Sequence, residues 1–189
     1  MAESGICLFA TAIGPCGVAW RGEGLIGVQL PEGGETATLR RLKRRFPDVE
    51  AQDPPDWVQA AIADIRALLD GEEVDLGHVP LDFSRVGRFE AAVLDAARRI
   101  PRGSTRTYGD LAAEIGEPGA AQAVGQALGR NPWPIVVPCH RITAAAGRTG
   151  GFSAYGGAAT KLRLLEIEGA LAVESLPLFA GPSGGSPAA

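Results

Sequence analysis

The sequence predicts an α+β protein in two parts. A small antiparallel sheet with flanking helices comes first, and a helical portion carrying a helix-turn-helix follows. Three observations predict this. Residues 6–30 contain three apolar, strand-like runs broken at glycine-bearing turns. Residues 36–46 and 56–70 repeat apolar side chains at helical intervals. From near Arg88 the periodic segments are helical, and two short ones are joined by a glycine-containing turn.

The elements follow in order. Ile6 to Ala12 is a first strand, Gly14-Pro15 a turn and Cys16 to Trp20 the returning strand. Arg21 to Gly24 makes the next turn, and Leu25 to Leu30 is the third strand. In 36–46, Leu39, Leu42 and Phe46 share a helical face with basic residues between them, and Pro47-Asp48 ends the helix. In 56–70, Trp57, Ala61, Ile65 and Leu68 share a face, Asp56 is the expected cap and Gly71 the stop. Residues 72–87 read as loop and place the boundary between a first domain, 1–83, and a second, 84–175. Residues 89–100 form a helix that stops at Pro101. A short helix from Thr107 ends in Gly116-Glu117-Pro118-Gly119, and helical spacing resumes through Ala121, Val124 and Leu128. These two form the helix-turn-helix candidate. Arg98, Arg99, Arg102 and Arg106 lead into it and suggest a phosphate-facing surface. Ile135 to Val137 reads as a short buried strand delivering Cys139. Residues 143–157 form a small-residue loop that can approach a substrate closely. A last helix begins at Lys161, with Leu162 and Leu165 inward and Glu168 near its end. The low-complexity tail, 176–189, is expected to be disordered.

Composition narrows the function classes. The 189 residues suffice to bury a core. No apolar run approaches the roughly 18 residues of a membrane span, and the first residues lack the order of a secretory signal. Three cysteines in no framework spacing point to a reducing, cytoplasmic setting. The net charge of −4 divides unevenly. Residues 1–83 hold 7 Lys/Arg against 14 Asp/Glu, whereas residues 84–170 hold 11 against 7. The second part is therefore the one suited to phosphates.

The densest chemical signal is Pro138-Cys139-His140-Arg141. A free thiol has a pKa of roughly 8.5 and is a slow nucleophile at neutral pH. An adjacent imidazole able to take its proton makes it a fast one. The cation of Arg141 would also favour the thiolate if it faces the sulfur. Cys7, Cys16 and His78 are too few and too scattered for a metal site, and no metal or dissociable cofactor is expected.

Thr107-Tyr108-Gly109, Asn131-Pro132, Pro138 to Arg141, Gly150-Gly151-Phe152, Gly156-Gly157, Lys161, Leu164-Leu165 and Glu168 together resemble the O6-alkylguanine-DNA alkyltransferases. These are also called methylated-DNA–protein-cysteine methyltransferases. The resemblance is dense over about residues 86–170 and rests on strand pattern alone before that. It implies a ribonuclease-H-like first domain and a winged-helix-like second one. It also implies direct-reversal DNA repair, in which an alkyl group moves once and irreversibly from guanine O6 to Cys139. His140 would be the base, through a bridging water. Glu168, rather than Glu166, would hold the imidazole. Tyr108 would donate to guanine N3, and Asn131 would brace the turn presenting the cysteine. The substrate side would comprise Thr107, Ala121, Gln122, Ala123, Gly125, Arg141, Lys161, Phe152 and Tyr155. Backbone groups around Ile142 and Ser153 would read the base edge. The partner would be duplex DNA containing O6-alkylguanine, entered from the minor groove by the second helix of the pair, with the base flipped out. One-shot chemistry needs no partner subunit, so a monomer is expected.

Two departures from the pattern bear on function. Gln122 stands where the family usually carries the arginine that fills the gap left by the flipped base; glutamine lacks the cation and the planar fork. The loop Gly151 to Gly157 is about two residues longer than the common form, so Phe152 or Tyr155 takes the aromatic position. Weakened flipping leaves a second reading, a non-repair alkyl acceptor or a protein that binds alkyl damage.

Overall fold

The computed structural model describes residues 3–144 and 150–170; the expected disorder of the tail lies outside them. Strands β1 (Ser4–Thr11), β2 (Gly14–Arg21) and β3 (Gly24–Gln29) form an antiparallel sheet with β2 in the middle. Helices α1 (Glu35–Arg45) and α2 (Asp56–Leu69) follow. The second part comprises α3 (Arg88–Arg98), β4 (Arg106–Thr107), α4 (Tyr108–Glu114), α5 (Ala121–Gly129), β5 (Ile142–Thr143) and α6 (Ala158–Ile167). The predicted α+β class and the helix pair α4–α5 are both present.

Strand alternation sorts the sheet into two faces. Ile6 and Ala19 join Leu42 and Val49 beneath α1. Helix α1 sits close because a Cβ on Gly17 would lie 2.8 Å from a Leu42 methyl, and one on Gly27 would lie 2.4 Å from the Phe46 ring. Cys16, Val18, Trp20, Leu25 and Val28 face the other way, into a core shared with Ile65 and Leu68 of α2, Leu94 of α3, Val124 of α5 and Trp133. That core therefore runs from the first part of the chain into the second. Fully burying a Leu- or Phe-sized side chain is worth about 1.5–3 kcal/mol, so this continuous core holds the site against the sheet.

The sheet also grips the segment before Cys139 by hydrogen bonds. Val28 N–H donates to Pro132 O at 2.9 Å, and the Trp133 indole donates to Leu25 O at 2.8 Å. Arg45, at the end of α1, donates to Val28 O at 2.7 Å and to Pro132 O at 3.0 Å.

Four local expectations are corrected. The first hairpin turns at Ala12-Ile13, because Thr11 pairs with Gly14 and its hydroxyl donates to Gly14 O at 2.6 Å; Gly14 and Pro15 open β2. Asp56 is the first residue of α2, not its cap; Pro55 occupies the cap position and its carbonyl accepts from Val58 and Gln59. Ile135 to Val137 is a tight turn and not a strand. Val137 N–H closes back on Trp133 O at 2.8 Å, and Ile135 adopts φ 77°. That left-handed backbone costs a branched residue about 1–3 kcal/mol, and it persists because Ile135, Val136 and Val137 are all buried. The last helix starts at Ala158, three residues before the expected start, and Leu164 with Leu165 faces inward while Leu162 is half-buried.

Candidate active site

Cys139 begins a single 3₁₀ turn, Cys139–Arg141, immediately after the Pro134 to Pro138 loop. Asn131 organises that loop: its amide donates to Val137 O at 2.9 Å, and its carbonyl accepts from Trp133 N–H at 2.9 Å. These two bonds impose a turn that the apolar sequence alone would not adopt. Cys139 is half-buried and opens into a cleft of about 570 Å³. Tyr108, Gln122, Asn131, Phe152 and Ser153 line the same cleft, and Ala121 and Gly125 form its α5 wall.

Burial pushes the Cys139 thiol above its ordinary pKa. The Asn131 side chain, the Lys161 ammonium and the amides of Cys139 and His140 pull the other way. The thiol therefore needs a base at neutral pH. His140 is fully buried, with Nε2 2.9 Å from Glu168 Oε1, a close contact that is not linear. Its Nδ1 has no hydrogen-bond partner among the described residues. Burial lowers the pKa of this imidazole, while Glu168 partly restores it. A neutral ring with Nε2–H toward the carboxylate leaves Nδ1 as a proton acceptor. No hydrogen bond joins the His140 imidazole to the sulfur among the described residues.

Glu168 is the C-cap of α6 and is buried. Arg141 clamps it with a two-point fork, Nε to Oε2 and Nη2 to Oε1, both 2.8 Å, and donates from Nη1 to Ile100 O at 2.6 Å. Burial would raise the Glu168 pKa, but Arg141 and His140 outweigh it and hold the carboxyl near about 2. Glu166, by contrast, is exposed and pairs with Arg163.

Several expected substrate-side residues lie elsewhere. Arg141 is 7% exposed with its fork occupied by Glu168, and it does not line the Cys139 cleft. Lys161 is 0% exposed; it donates to Ile142 O and sits 5.9 Å from the Tyr108 ring centroid, so the cation near the sulfur is Lys161 instead of Arg141. Ile142 is buried, its carbonyl is taken by Lys161 and it does not line the cleft. Tyr155 is 60% exposed and outside the cleft, leaving Phe152 as the aromatic wall. Thr107 caps α4 in a reciprocal pair with Asp110. Ala123 is exposed on α5 beyond the cleft lining.

Three arginines of the 98–106 run are also engaged by partners within the chain. Arg98 ties Leu76 O and Val79 O, Arg99 pairs with Asp95 and Glu114, and Arg102 donates to Gly71 O and Ile167 O. Arg99 and Arg106 are both exposed; Arg99 is tied up in its two surface ion pairs, whereas Arg106 makes one long contact, to Thr105 O. His78 contacts Asp64 and Asp75 O, each at 3.0 Å, while Cys7 and Cys16 belong to the sheet. Pro134, Leu128 and Gly129 line the cleft and were not among the expected residues. No helix among the described residues is long and apolar enough to cross a membrane.

The family profile of the 6-O-methylguanine DNA methyltransferase DNA-binding domain matches residues 88–170. A methylated-DNA–protein-cysteine methyltransferase of Methanothermobacter thermautotrophicus is 39% identical over 153 residues, which is 81% of this chain and 78% of the relative. The crystal structure of Mycobacterium tuberculosis OGT in complex with DNA superposes with a TM-score of 0.70 at 36% identity, over 86% of this chain and 92% of that one. The O6-methylguanine-DNA methyltransferase of Pyrococcus kodakaraensis gives 0.67 at 29% identity, over 88% and 99%. Likeness in sequence and in fold extends through both parts of the chain, and the chain belongs to the methylated-DNA–protein-cysteine methyltransferase family.

Proposed function

We propose that Cys139 is the methyl acceptor in direct reversal of O6-methylguanine, the reaction of this family. The observation that carries the assignment is a half-buried thiol opening on a cleft, backed by a buried His140–Glu168–Arg141 chain. The thiol proton passes through a water to His140 Nδ1, whose imidazolium is stabilised by Glu168. The sulfur attacks the methyl carbon, the carbon–O6 bond breaks and its electron pair stays on the guanine. Tyr108 donates its phenolic hydrogen bond toward N3, where charge develops. Burial raises the Tyr108 pKa, which keeps the phenol protonated for that task. The product is a thioether, so each molecule acts once.

The methyl sits inside a base stack, so the nucleotide must be turned out into the cleft at a cost of a few kcal/mol. Helix α5 supports an approach from the minor groove of duplex DNA: Ala121 and Gly125 keep its cleft wall low, and Gln122 stands at the rim. Asn131 fixes the sulfur by holding the loop, and a monomer contains every group this scheme uses.

Intact mass spectrometry after incubation with an O6-methylguanine duplex tests the assignment. One addition of about 14 Da per chain, on Cys139, is expected. Burial lifts Cys7 and Cys16 each to about 11, so they should stay unmodified. Absence of an adduct, or an adduct on either of those two, rejects Cys139 as acceptor. Transfer from free O6-methylguanine with none from duplex would instead support an acceptor of small alkylated molecules.

A further inference from the structure

A dense cluster of exposed cations lies away from the Arg98 to Arg106 run. Helix α1 carries Arg40, Arg41, Lys43 and Arg44, all exposed. Among the described residues their one ion pair is Arg41 with Glu32, at 3.9 Å. Five of the seven Lys/Arg in residues 1–83 fall within 40–45, although that part of the chain is strongly acidic. At 100° per residue, Arg40, Arg41 and Arg44 share a solvent face opposite buried Leu42.

This face adjoins the candidate active site. A hollow of about 230 Å³, lined by Arg41, Arg45, Glu32 and Arg130, shares Gly129, Asn131, Pro134 and Ser153 with the Cys139 cleft. The two depressions are neighbours separated by those four residues. Arg45 points inward to Pro132 O and locks the end of α1 to the base of the Cys139 loop, so the basic face is held at a fixed place beside the sulfur.

We propose that Arg40, Arg41 and Arg44 bind the phosphodiester backbone of DNA beyond the segment engaged at the cleft. This gives the sheet-bearing part of the chain an electrostatic share in substrate capture. The inference rests on the DNA-repair reading of Cys139. Residues 40 to 44 rise about 6 Å along the helix, comparable to two or three phosphates at about 3.4 Å per strand charge. Guanidinium contacts to phosphate strengthen binding without reading bases, so the effect should be independent of sequence and steep in salt.

The test compares the full chain with Arg40→Gln/Arg41→Gln/Arg44→Gln and with the matching triple Lys variant. Affinity for an unmodified duplex is read by fluorescence anisotropy at about 50 and 200 mM salt. Two or three lost phosphate contacts should shrink the salt-induced loss of affinity by about tenfold to fortyfold in the Gln variant. The Lys variant should follow the parent, and transfer from free O6-benzylguanine should be the same in all three. A Gln variant with the parent's affinity and salt dependence overturns the proposal. A Gln variant that also slows on the free base overturns it too, because the effect would then be on the site and not on DNA capture. Failure of the parent itself to accept an alkyl group from O6-benzylguanine or from an O6-methylguanine duplex would reject the Cys139 reading, while the salt dependence would still report on α1.

Discussion

Replacing Glu168 by Gln removes the one anion that serves both His140 and Arg141. In the folded chain Arg141 gives Glu168 two hydrogen bonds at 2.8 Å, and His140 Nε2 lies 2.9 Å away; the His140 and Glu168 side chains are fully buried and that of Arg141 nearly so. An amide offers a single acceptor oxygen and leaves the guanidinium buried without its counter-charge. Breaking a buried pair from one side costs about 3–5 kcal/mol. For a chain of this size each kcal/mol moves Tm by about 2–4 °C, so a drop of about 6–20 °C is expected.

The pH dependence gives a second, independent estimate. The Glu168 pKa falls from an ordinary 4.5 to about 2 on folding, which corresponds to about 3 kcal/mol at about 1.36 per unit. A depressed carboxylate stabilises the fold above its unfolded pKa, and that contribution is lost as pH falls from about 4.5 toward 2. Urea unfolding across that window should show a steep acid loss in the parent and a shallower one in Glu168→Gln. Transfer from free O6-benzylguanine should also slow by about 10²-fold or more, because the imidazolium loses its anion. A variant with the parent's Tm and the parent's acid slope would refute the reasoning, since Glu168 would then carry no net interaction in the folded state.

Two further outcomes are expected. Asn131→Ala should lose about 2–4 kcal/mol, since it strips partners from Val137 O and Trp133 N–H. It should also shift the pH midpoint of Cys139 alkylation by iodoacetamide upward, because the Asn131 side chain helps lower that pKa; chemical denaturation and a rate–pH profile check the two parts. Gln122→Arg should speed transfer from duplex DNA more than from free O6-benzylguanine, measured by single-turnover kinetics; equal acceleration on both would show that Gln122 does not limit base flipping.

The elements most legible in the sequence are those with local causes. Alternation and glycine turns place β3 to within a residue and β2 to within two, and the spacing of Leu39, Leu42 and Phe46 marks α1. The helix start read at Thr107 and the Gly116 stop bracket α4, with Thr107 itself becoming the cap. The nucleophile candidate and its imidazole are equally local, being adjacent after a proline. The errors share a different origin. Ile135 to Val137 has strand composition, yet Asn131 and the flanking prolines bend it into a turn, because two side-chain hydrogen bonds and burial outweigh propensity.

Charge direction shows the division most sharply. The sequence alone determined that the protein is α+β, that Cys139 is followed by a histidine, and that the family resemblance lies in residues 86–170. It could not determine which cations face outward. Arg141 turns to Glu168 and Ile100, 27 and 41 positions away, and Arg98, Arg99 and Arg102 are likewise drawn onto carboxylates and carbonyls. Lys161 comes to lie near the sulfur, and Arg40, Arg41 and Arg44 of α1 are left in solvent while Arg45 turns inward. Periodicity is set by neighbours along the chain. The partner of a long charged side chain is set by whichever acceptors the packed core brings within reach, and only the tertiary structure decides that.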